Sequence, residues 1–441
     1  MARTSATVDT SPAGFQPPSI ASLEDTGLSS LWLQELILKL MYVRGYLSGS
    51  KIAEEIALPF VGVTDQLLTA LKVDKLVEVK TAQSGLGEGA YVYGITGAGI
   101  QRAREALERS QYAGPAPVPL EAYNDAIRLQ RATRSTITSR AMRQVLSEVV
   151  ISEATYQRLG PALNSGTSIF MYGPPGNGKT TVARAFSNLL LNQAIYIPYA
   201  LYLDGQVVKL FDAVHHVLVD DPAAGSDGGG QARGASRRDG RWLRVRRPFV
   251  VTGGELTLNG LDLIFDETNR YYEAPFQVKA NGGLLLIDDF GRQLVRPRDL
   301  LNRWIVPLEN RIDFLTLHTG RKVEIPFDVL VIFATNLPPK DLVDEAFLRR
   351  LRHKIEMKDP TYEEYREIFR RVTAGKRIAY NEEALAYLLQ EWYIKANRKL
   401  RASHPRDLCD QILDIAAYSS VEPEMSREML DRAARAYFVD L

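Results

Sequence analysis

Residues 173–181 read G-P-P-G-N-G-K-T-T, and this stretch decides the fold. It fits the pattern G-x-x-x-x-G-K-[ST] at every fixed position, namely Gly173, Gly178, Lys179 and Thr180. Glycines let the chain curl so that successive backbone N–H groups point inward at phosphate oxygens. Lys179 can reach the β- and γ-phosphates of a nucleotide, and the Thr180 hydroxyl can hold Mg²⁺. The stretch therefore predicts a phosphate-binding loop.

The segments on either side supply the strand and the helix that such a loop requires. Residues 168–172 are a short apolar strand, and residues 182–191 have a helical pattern. The first turn of that helix has unpaired N–H groups and a positive dipole end, which favour an anion. We expect the whole loop to bind phosphate: Gly173, Pro174, Pro175, Gly176, Asn177, Gly178, Lys179, Thr180 and Thr181.

Two apolar runs farther along the chain each end in polar side chains. Residues 284–289 read L-L-L-I-D-D, as expected for a buried parallel strand that delivers Asp288 and Asp289 to a site. Residues 329–336 form a second buried run that ends at Asn336. Asp288 would hold Mg²⁺ through water, Asp289 would polarise an attacking water, and Asn336 could orient that water or contact the γ-phosphate. The alternative for the first run is a core strand with a capping aspartate.

The order of these segments resembles the AAA+ ATPases over about residues 125–441. The resemblance implies that residues 173–181 are Walker A, that Asp288 and Asp289 belong to Walker B, and that Asn336 is sensor 1. It implies an α/β fold, with a parallel-sheet P-loop NTPase large domain and a C-terminal all-α lid, and ATP and Mg²⁺ as cofactors. Most of the family has Glu at the position of Asp289, whereas bacterial replication initiators and helicase loaders also have two aspartates there.

Residues 346–351, A-F-L-R-R-L, resemble the segment that carries the family's arginine finger. Arg350 is the first choice, Arg349 the second and Arg352 the third. Such an arginine would reach the ATP of a neighbouring subunit, so the resemblance implies a homo-oligomer, usually a hexamer. The alternative is a solvated basic helix end. The implied site is Lys179, Asp289, Asn336, Arg350 and Arg349 for catalysis, with Thr180 and Asp288 for the metal.

Residues 357–441 have a helical pattern throughout and would be the family's helical lid. Residues 403–408 resemble the sensor 2 segment, in which Arg406 would bridge the lid to the γ-phosphate. The alternative is that Arg406 pairs with a neighbouring aspartate, Asp407 or Asp410.

The chain before residue 124 divides into three parts. Residues 1–27 are rich in Ser, Thr, Pro and Ala and are predicted to be a disordered tail. Residues 28–110 resemble a winged helix-turn-helix domain in the order of their helices and strand-like runs. Residues 111–123 are predicted to be a Pro-rich, semi-rigid linker. Residues 124–356 would then form the nucleotide-binding domain.

The winged-helix unit has a weak electrostatic footprint for DNA. We predict its helices at 31–44, 51–57, 63–74 and 97–110, and its strands at 76–81 and 90–96. The candidate recognition helix has Lys72 as its only basic residue, whereas phosphate contacts need several. Only Gln66 is of a type that reads base edges. Contact with a protein or with another copy is therefore favoured, and DNA binding is the alternative.

Residues 312–317 and 322–326 are strand-like and are joined by a turn, which predicts a hairpin. The hairpin lies between the Walker B and sensor 1 segments. It is similar to the pre-sensor-1 hairpin of a clade that includes sigma-54 activators, magnesium-chelatase-type ATPases and the Holliday-junction branch-migration motor. In that clade the hairpin often lies near the axis of the ring.

Residues 204–280 are long for one connection between strands, which predicts a functional or disordered insertion. Its basic segment contains Arg233, Arg237, Arg238, Arg241, Arg244, Arg246 and Arg247 against Asp239. This local charge could bind nucleic acid or an acidic partner, or belong to a solvated mobile loop. Arg270, Tyr271 and Tyr272 are a smaller candidate contact, although the rings could be core.

The composition excludes several classes of protein. At 441 residues the chain can hold two or three domains, and a net charge of +1 gives no overall attraction to nucleic acid or membrane. Cys409 is the single cysteine, which excludes an internal disulfide and fits a reducing compartment. No uncharged apolar run reaches about 18 residues, and the N-terminus lacks a signal-peptide core. We predict a cytoplasmic protein without membrane insertion.

The resemblance implies an ATPase that binds and hydrolyses Mg-ATP to remodel an unknown protein client as a ring oligomer. Two alternatives stay open. One is a nucleic-acid-linked ATPase of the loader or initiator type, which would use the winged helix and the basic insertion. The other is an assembly switch that hydrolyses ATP slowly and acts as a scaffold.

Overall fold

The computed structural model describes residues 14–82, 88–132, 136–191, 193–220, 238–342 and 348–438. The strands are β1 (Leu47–Ser48), β2 (Val77–Ala82), β3 (Tyr91–Ile95), β4 (Val118–Pro119), β5 (Ser168–Tyr172), β6 (Ala194–Pro198), β7 (Ala200–Leu203), β8 (Gln206–Lys209), β9 (Trp242–Arg246), β10 (Phe249–Thr252), β11 (Ile264–Asp266), β12 (Tyr271–Glu273), β13 (Leu284–Ile287), β14 (Ile312–Thr316), β15 (Lys322–Pro326), β16 (Leu330–Thr335) and β17 (His353–Glu356). The α-helices are α1 (Ser30–Arg44), α2 (Gly49–Glu55), α3 (Asp65–Val73), α4 (Gly97–Arg109), α5 (Leu120–Ala132), α6 (Ser139–Val145), α7 (Glu153–Ser165), α8 (Lys179–Leu191), α9 (Phe276–Lys279), α10 (Pro297–Arg303), α11 (Ile305–Asn310), α12 (Pro339–Leu342), α13 (Tyr362–Lys376), α14 (Glu382–Leu388), α15 (His404–Ser419) and α16 (Arg427–Tyr437).

The nucleotide-binding region is built on a five-stranded parallel sheet with the order β10-β13-β16-β5-β17. Its central strands are continuous apolar runs because both faces are covered, as expected for a parallel sheet. Leu159 of α7 and Phe186 of α8 pack on one face, and Trp304 is buried in the cluster on the other. The predicted α/β fold with a parallel sheet is therefore confirmed.

The strand order brings the predicted site residues to one edge of this sheet. After β5 the chain crosses to β10 at the far edge of the sheet. The strands β13 and β16 then fill the space between β10 and β5, and β17 lies on the other side of β5. Ligands of open parallel sheets bind beyond the carboxyl ends of the strands, at the point where the order reverses. The loop after β5, the aspartates after β13 and Asn336 after β16 all emerge at that edge.

The predicted insertion at 204–280 contributes β8, β11 and β12 to a second five-stranded sheet, β11-β12-β8-β7-β4, and β9 to the ribbon β6-β9. The structure corrects that prediction, because Phe249–Thr252 within it is an edge strand of the main sheet. The sequence could not show this, since a short strand carries no local mark of its parallel partner. Residues 221–237, with Arg233 and Arg237, lie outside the described residues.

The described arginines of the basic segment contact groups of the protein itself. Arg241 and Asp239 form a buried ion pair, with 2.8 Å between Nη2 and Oδ2. Arg241 also donates to the carbonyl oxygens of Thr26 and Pro117. Arg247 is buried as well. The interpretation as a solvated loop is therefore wrong for these two arginines, since neither side chain faces water.

The N-terminal unit has its helices α1–α4 and the antiparallel sheet β1-β3-β2 where the sequence predicts them. Its core includes Leu36 and Leu67 and extends to Ala200 and Val207 of the second sheet. The unit therefore packs directly on that sheet. Most of the predicted turn between the wing strands lies outside the described residues, and a winged-helix role stays a prediction.

Two segments predicted to be a tail and a linker are ordered where the structure describes them. Ile20 is buried, and the carbonyl of Pro18 accepts a 2.8 Å hydrogen bond from Asp239 N–H. In the linker, Tyr112 and Ala116 are buried and β4 pairs with β7. A few apolar side chains suffice to order these segments because they pack on the surface of the folded domains. Residues 1–13 of the predicted tail lie outside the described residues.

The predicted hairpin is present as β14 and β15, and one of its faces is covered. Leu315 and Ile325 are buried in one cluster with residues of the second sheet. At the hairpin tip, His318 N–H donates to the Tyr272 hydroxyl at 2.9 Å, and the Phe265 ring stacks on His318. Tyr272 is thus a core residue, the alternative expected from the sequence. The hairpin lies against the second sheet rather than projecting alone.

The C-terminal region is helical, as predicted. The helices α13–α16 enclose one core that includes Phe369, Leu408 and the single cysteine, Cys409. The helix α13 begins with a capping box in which Thr361 and Glu364 exchange side-chain-to-backbone hydrogen bonds. This region forms the lid over one side of the site.

Candidate functional site

The predicted phosphate loop connects β5 to α8, as its pattern requires. Gly173, Gly176 and Gly178 have φ of 140°, 79° and 77°, values that residues with a side chain rarely adopt. At Gly173 an added Cβ would lie 2.3 Å from the carbonyl oxygen of Met357, so the packing of the loop also demands glycine. The helix α8 begins at Lys179, which places its unpaired N–H groups at the loop.

The Lys179 side chain is held inside the loop. Its Nζ donates to the carbonyl oxygens of Gly173 at 2.9 Å and Pro174 at 2.8 Å. Burial lowers the pKa of Lys179, while the nearby carboxylates of Asp289 and Asp288 act in the opposite direction. The amino group therefore stands between the loop and the two acids.

Thr180 and Asp288 meet across the loop. The Thr180 hydroxyl lies 3.0 Å from both carboxylate oxygens of Asp288. Within the described part of the chain, no group of three or more His, Cys, Asp or Glu side chains could hold a metal ion. A hydroxyl and one carboxylate nevertheless suit Mg²⁺, which keeps several waters and takes other ligands from substrate phosphates. The predicted metal ligands are therefore together and fit that ion.

Asp289 and Asn336, which follow the neighbouring strands β13 and β16, also meet. Asn336 Nδ2 donates to Asp289 Oδ1 at 3.0 Å. Asp289 has φ of 48°, in the left-handed region, which aspartate adopts more readily than most residues other than glycine. Gln293, which the sequence analysis did not identify, closes this turn: it donates to the Asp288 carbonyl at 2.8 Å and accepts from Gly291 N–H at 2.7 Å.

The loop, the acids and the lid enclose a cavity of about 460 Å³. Four branched apolar side chains in its wall could not be predicted from the sequence: Val149 and Val150 before α7, and Ile368 and Val372 on α13. An apolar wall opposite a phosphate loop suits the flat face of a nucleotide base. No local signal marked these residues, since each resembles an ordinary core position.

The structure places the predicted sensor arginine at this cavity. Arg406 is among the lining residues, and its side chain is 64% exposed. Its Nε and Nη2 donate to Asp407 Oδ1 at 3.2 and 3.1 Å. The expected pairing with Asp407 is therefore present together with the expected position over the loop.

The predicted arginine-finger residues do not line the cavity in the described part of the chain. Arg349 and Arg350 precede β17, which runs parallel to β5, so they lie toward the amino ends of the strands. Arg350 Nε donates to Glu309 Oε1 at 2.5 Å. Ala346 and Phe347 of the same predicted segment lie outside the described residues.

Comparison with known proteins adds the following. A family model described as a domain of unknown function (DUF8689) matches residues 361–436, which covers the lid. No curated protein sequence matches the chain. Among solved structures, the chain is similar to NtrX from Brucella abortus, with 14% identity, a TM-score of 0.39, and coverage of 67% of this chain and 57% of NtrX. The chain thus spans little more than half of that protein.

Two further solved structures are similar at the same level. One is the Thermotoga maritima RuvB Holliday junction branch migration motor, with 14% identity and a TM-score of 0.37, covering 67% of this chain and 72% of RuvB. The other is Brucella abortus NtrX in complex with ATP, with 16% identity and a TM-score of 0.38, covering 78% of this chain and 65% of that one.

Among the described residues, no single helix has the length and apolar content needed to cross a membrane. The bent pair Gly49–Glu55 and Phe60–Val73, with 79° between its halves, meets that criterion only when both halves are taken together.

Proposed function

We propose that the chain is an AAA+ ATPase that binds and hydrolyses Mg-ATP and remodels a protein partner as a ring-shaped homo-oligomer. One observation carries the proposal. The Thr180–Asp288 and Asp289–Asn336 contacts, each 3.0 Å long, lie side by side in one cavity between the phosphate loop and the lid. A chance glycine-rich turn would not place these side chains together.

Each described side chain has a distinct task in this proposal. The loop N–H groups and Lys179 bind the β- and γ-phosphates and neutralise charge that develops during transfer. Mg²⁺, when bound by Thr180 and Asp288, supplies further neutralisation of the phosphate oxygens. Asp289 orients the attacking water, and Asn336 fixes the Asp289 carboxylate. Because phosphoryl transfer depends mainly on positioning, these contacts account for hydrolysis without covalent catalysis.

The ring belongs to the proposal because the predicted arginine finger is absent from the described lining of the chain's own cavity, where Arg406 lies. Arg350 is held by Glu309 instead, and a second copy could bring its Arg350 to the open side of the cavity. An arginine supplied from a neighbour would make turnover depend on assembly.

A protein is the preferred partner because two arginines of the basic segment are used inside the chain. Arg241 and Arg247 are buried, so neither can neutralise a nucleic-acid phosphate without unfolding its surroundings. Among the described residues, a nucleic-acid-linked ATPase would have to rely on Lys72 of α3 and on the half-buried arginines of the basic segment, Arg238, Arg244 and Arg246. One face of the hairpin is covered by the second sheet, and its other face, which carries the exposed Phe314, is open to a client.

A slow assembly switch is the second candidate, and one observation favours it. Asp289 replaces the longer Glu that is usual in the family, and its hydrogen bond to Asn336 holds the carboxylate in one direction. Such a site could bind ATP for long periods before it hydrolyses it.

Trapping the ATP-bound state separates these proposals. Asp289→Asn should retain ATP and remove water activation, so the full-length variant should hold its client during purification with ATP and release it with ADP. The matched control is Lys179→Ala, which should bind neither nucleotide nor client. Retention of DNA that is sensitive to salt would favour the loader type, whereas wild-type oligomer that binds ATP without turnover would favour the switch.

A further inference from the structure

The side chain of Asn177 joins the phosphate loop to the lid. Its Nδ2 donates to Asp359 Oδ1 at 2.7 Å, and its Oδ1 accepts from Ala402 N–H at 3.2 Å. Asn177 is only 5% exposed, so both ends of its amide are satisfied within the protein. This contact is distinct from the phosphate-binding task that the loop pattern assigns to the residue.

Asp359 lies where the large domain passes into the lid, between β17 and α13. Its Oδ1 also accepts from the Arg401 guanidinium. Arg401 and Ala402 directly precede α15, the helix that carries Arg406. The Asp359 carboxylate and the Asn177 amide therefore connect the phosphate loop, the junction between β17 and α13, and the beginning of α15.

The loop backbone touches the same segment of the lid. A Cβ added at Gly176 would lie 2.6 Å from Ser403 Oγ, so the loop and the lid are in close contact beside Asn177. The glycines on both sides of Asn177 have positive φ and allow the peptide units of the loop to turn. A change in the conformation of the loop would therefore move the Asn177 amide.

We propose that Asn177 is a positioning residue that couples the phosphate loop to the lid. While its two hydrogen bonds are made, Ile368 and Val372 face the loop across the cavity, and Arg406 stands over the phosphate site. A hydrogen bond to a carboxylate is stronger than one between neutral groups, and its loss would leave a buried polar group unpaired. This inference rests on the proposed function, because it concerns the regulation of the same nucleotide site.

The release of a fluorescent ATP analogue from the full-length protein tests the coupling. Asn177→Ala should raise the dissociation rate roughly tenfold or more and lower kcat, because the lid no longer closes in register with the loop. Lys179→Ala, in contrast, should abolish binding. An analogue that still binds to Lys179→Ala contradicts the proposed function, whereas Asn177→Ala with wild-type release and turnover overturns the coupling alone.

Exchanging the amide of Asn177 with the carboxylate of Asp359 tests whether their contact couples the loop to the lid or whether the loop simply needs asparagine at this position. Asn177→Asp keeps the acceptor for Ala402 N–H but faces a second carboxylate, so release should be fast. Adding Asp359→Asn restores one donor and one acceptor between the two positions, and release should return to within about threefold of wild type. Release as fast in the double variant as in Asn177→Asp overturns the inference.

The control removes a lid ion pair that does not touch the loop. Arg366 and Glu382 are both exposed and 3.5 Å apart, so Arg366→Ala should leave the release rate unchanged. Accelerated release in this control would mean that any loosening of the lid has the same effect, which would overturn the specific role of Asn177.

Discussion

The side-chain amide of Asn336 donates a 3.0 Å hydrogen bond to Oδ1 of Asp289, which joins the end of β16 to the turn after β13. Asp289 is held at φ of 48°, in the left-handed region, which aspartate adopts more readily than most residues other than glycine. The bond therefore orients a carboxylate whose backbone is already constrained. In the proposed ATPase, this pair sets the direction from which water attacks the γ-phosphate.

Loss of the Asn336 amide should impair the chemical step. We expect Asn336→Ala to lower kcat about tenfold to a hundredfold, because Asp289 loses the group that orients it, while ATP affinity changes little. Phosphate release at saturating ATP measures kcat, and Asn302→Ala on the exposed side of α10 is the control. A change confined to KM would contradict the assignment.

Arg350 should act on a neighbouring subunit. We expect Arg350→Ala to bind ATP but to lose about a hundredfold or more of its turnover. Mixing it with Asp289→Asn subunits should restore part of the activity, since each variant supplies the group that the other lacks. The Asp289→Asn, Arg350→Ala double variant is the matched control and should restore nothing. If the first mixture also stays inactive at every ratio, the finger lies elsewhere, and Arg349 is the next candidate.

The buried pair of Arg241 and Asp239 should contribute strongly to stability. Asp239→Ala leaves the Arg241 guanidinium buried without its carboxylate, and we expect the free energy of unfolding to fall by about 3–5 kcal/mol. Urea unfolding measures the difference. The exposed pair of Arg128 and Asp125 is the control, and Asp125→Ala should cost less than about 1 kcal/mol. Equal losses for the two variants would show that Arg241 is readily solvated.

His404 should make the stability depend on pH. Burial lowers the pKa of His404 from its ordinary value of 6.5 to about 4, with Asp407 acting in the opposite direction and Arg401 in the same one. The unfolded chain then binds a proton that the folded chain does not. The contribution of uncharged His404 to the free energy of unfolding is fully present above about pH 6.5 and is lost as the pH falls toward 4. The loss is at most about 1.4 kcal/mol per pH unit.

Replacement of this histidine isolates its contribution from that of the carboxylates. In His404→Gln, the free energy of unfolding should fall less steeply between pH 6.5 and pH 4 than in the wild-type protein. Because all other titrating groups are common to both proteins, the difference between the two curves reports on His404. A difference that is constant with pH would contradict the buried, uncharged state.

The centre of the site could be predicted from the sequence because its signals are local. The loop pattern, the two aspartates and Asn336 each follow an apolar strand, and parallel strands deliver such residues to one edge without further information. The wall of the cavity could not be predicted, because Val149 and Ile368 resemble core residues until the lid folds back. The lid contact of Asn177 was also hidden, since its partner Asp359 is 182 residues away.

The regions around the site differ more from what the sequence predicts than the site itself does. The arginines near Arg241 form a basic cluster in the sequence. In the structure, however, Arg241 is buried, where it pairs with Asp239 and donates to backbone carbonyl groups. Tyr112 and Ala116 lie in a Pro-rich segment that predicts a linker, yet they are buried in the folded protein. In both regions, distant contacts decide the environment, and local composition carries no information about them.

ATP turnover by purified full-length protein, with Lys179→Ala measured beside it, tests the central claim most directly. We expect phosphate release by the wild-type protein that requires Mg²⁺, and we expect Lys179→Ala to lose both this release and the binding of ATP, because Nζ no longer holds the phosphates. Unchanged turnover in Lys179→Ala would contradict the assignment of residues 173–181 as the ATP site.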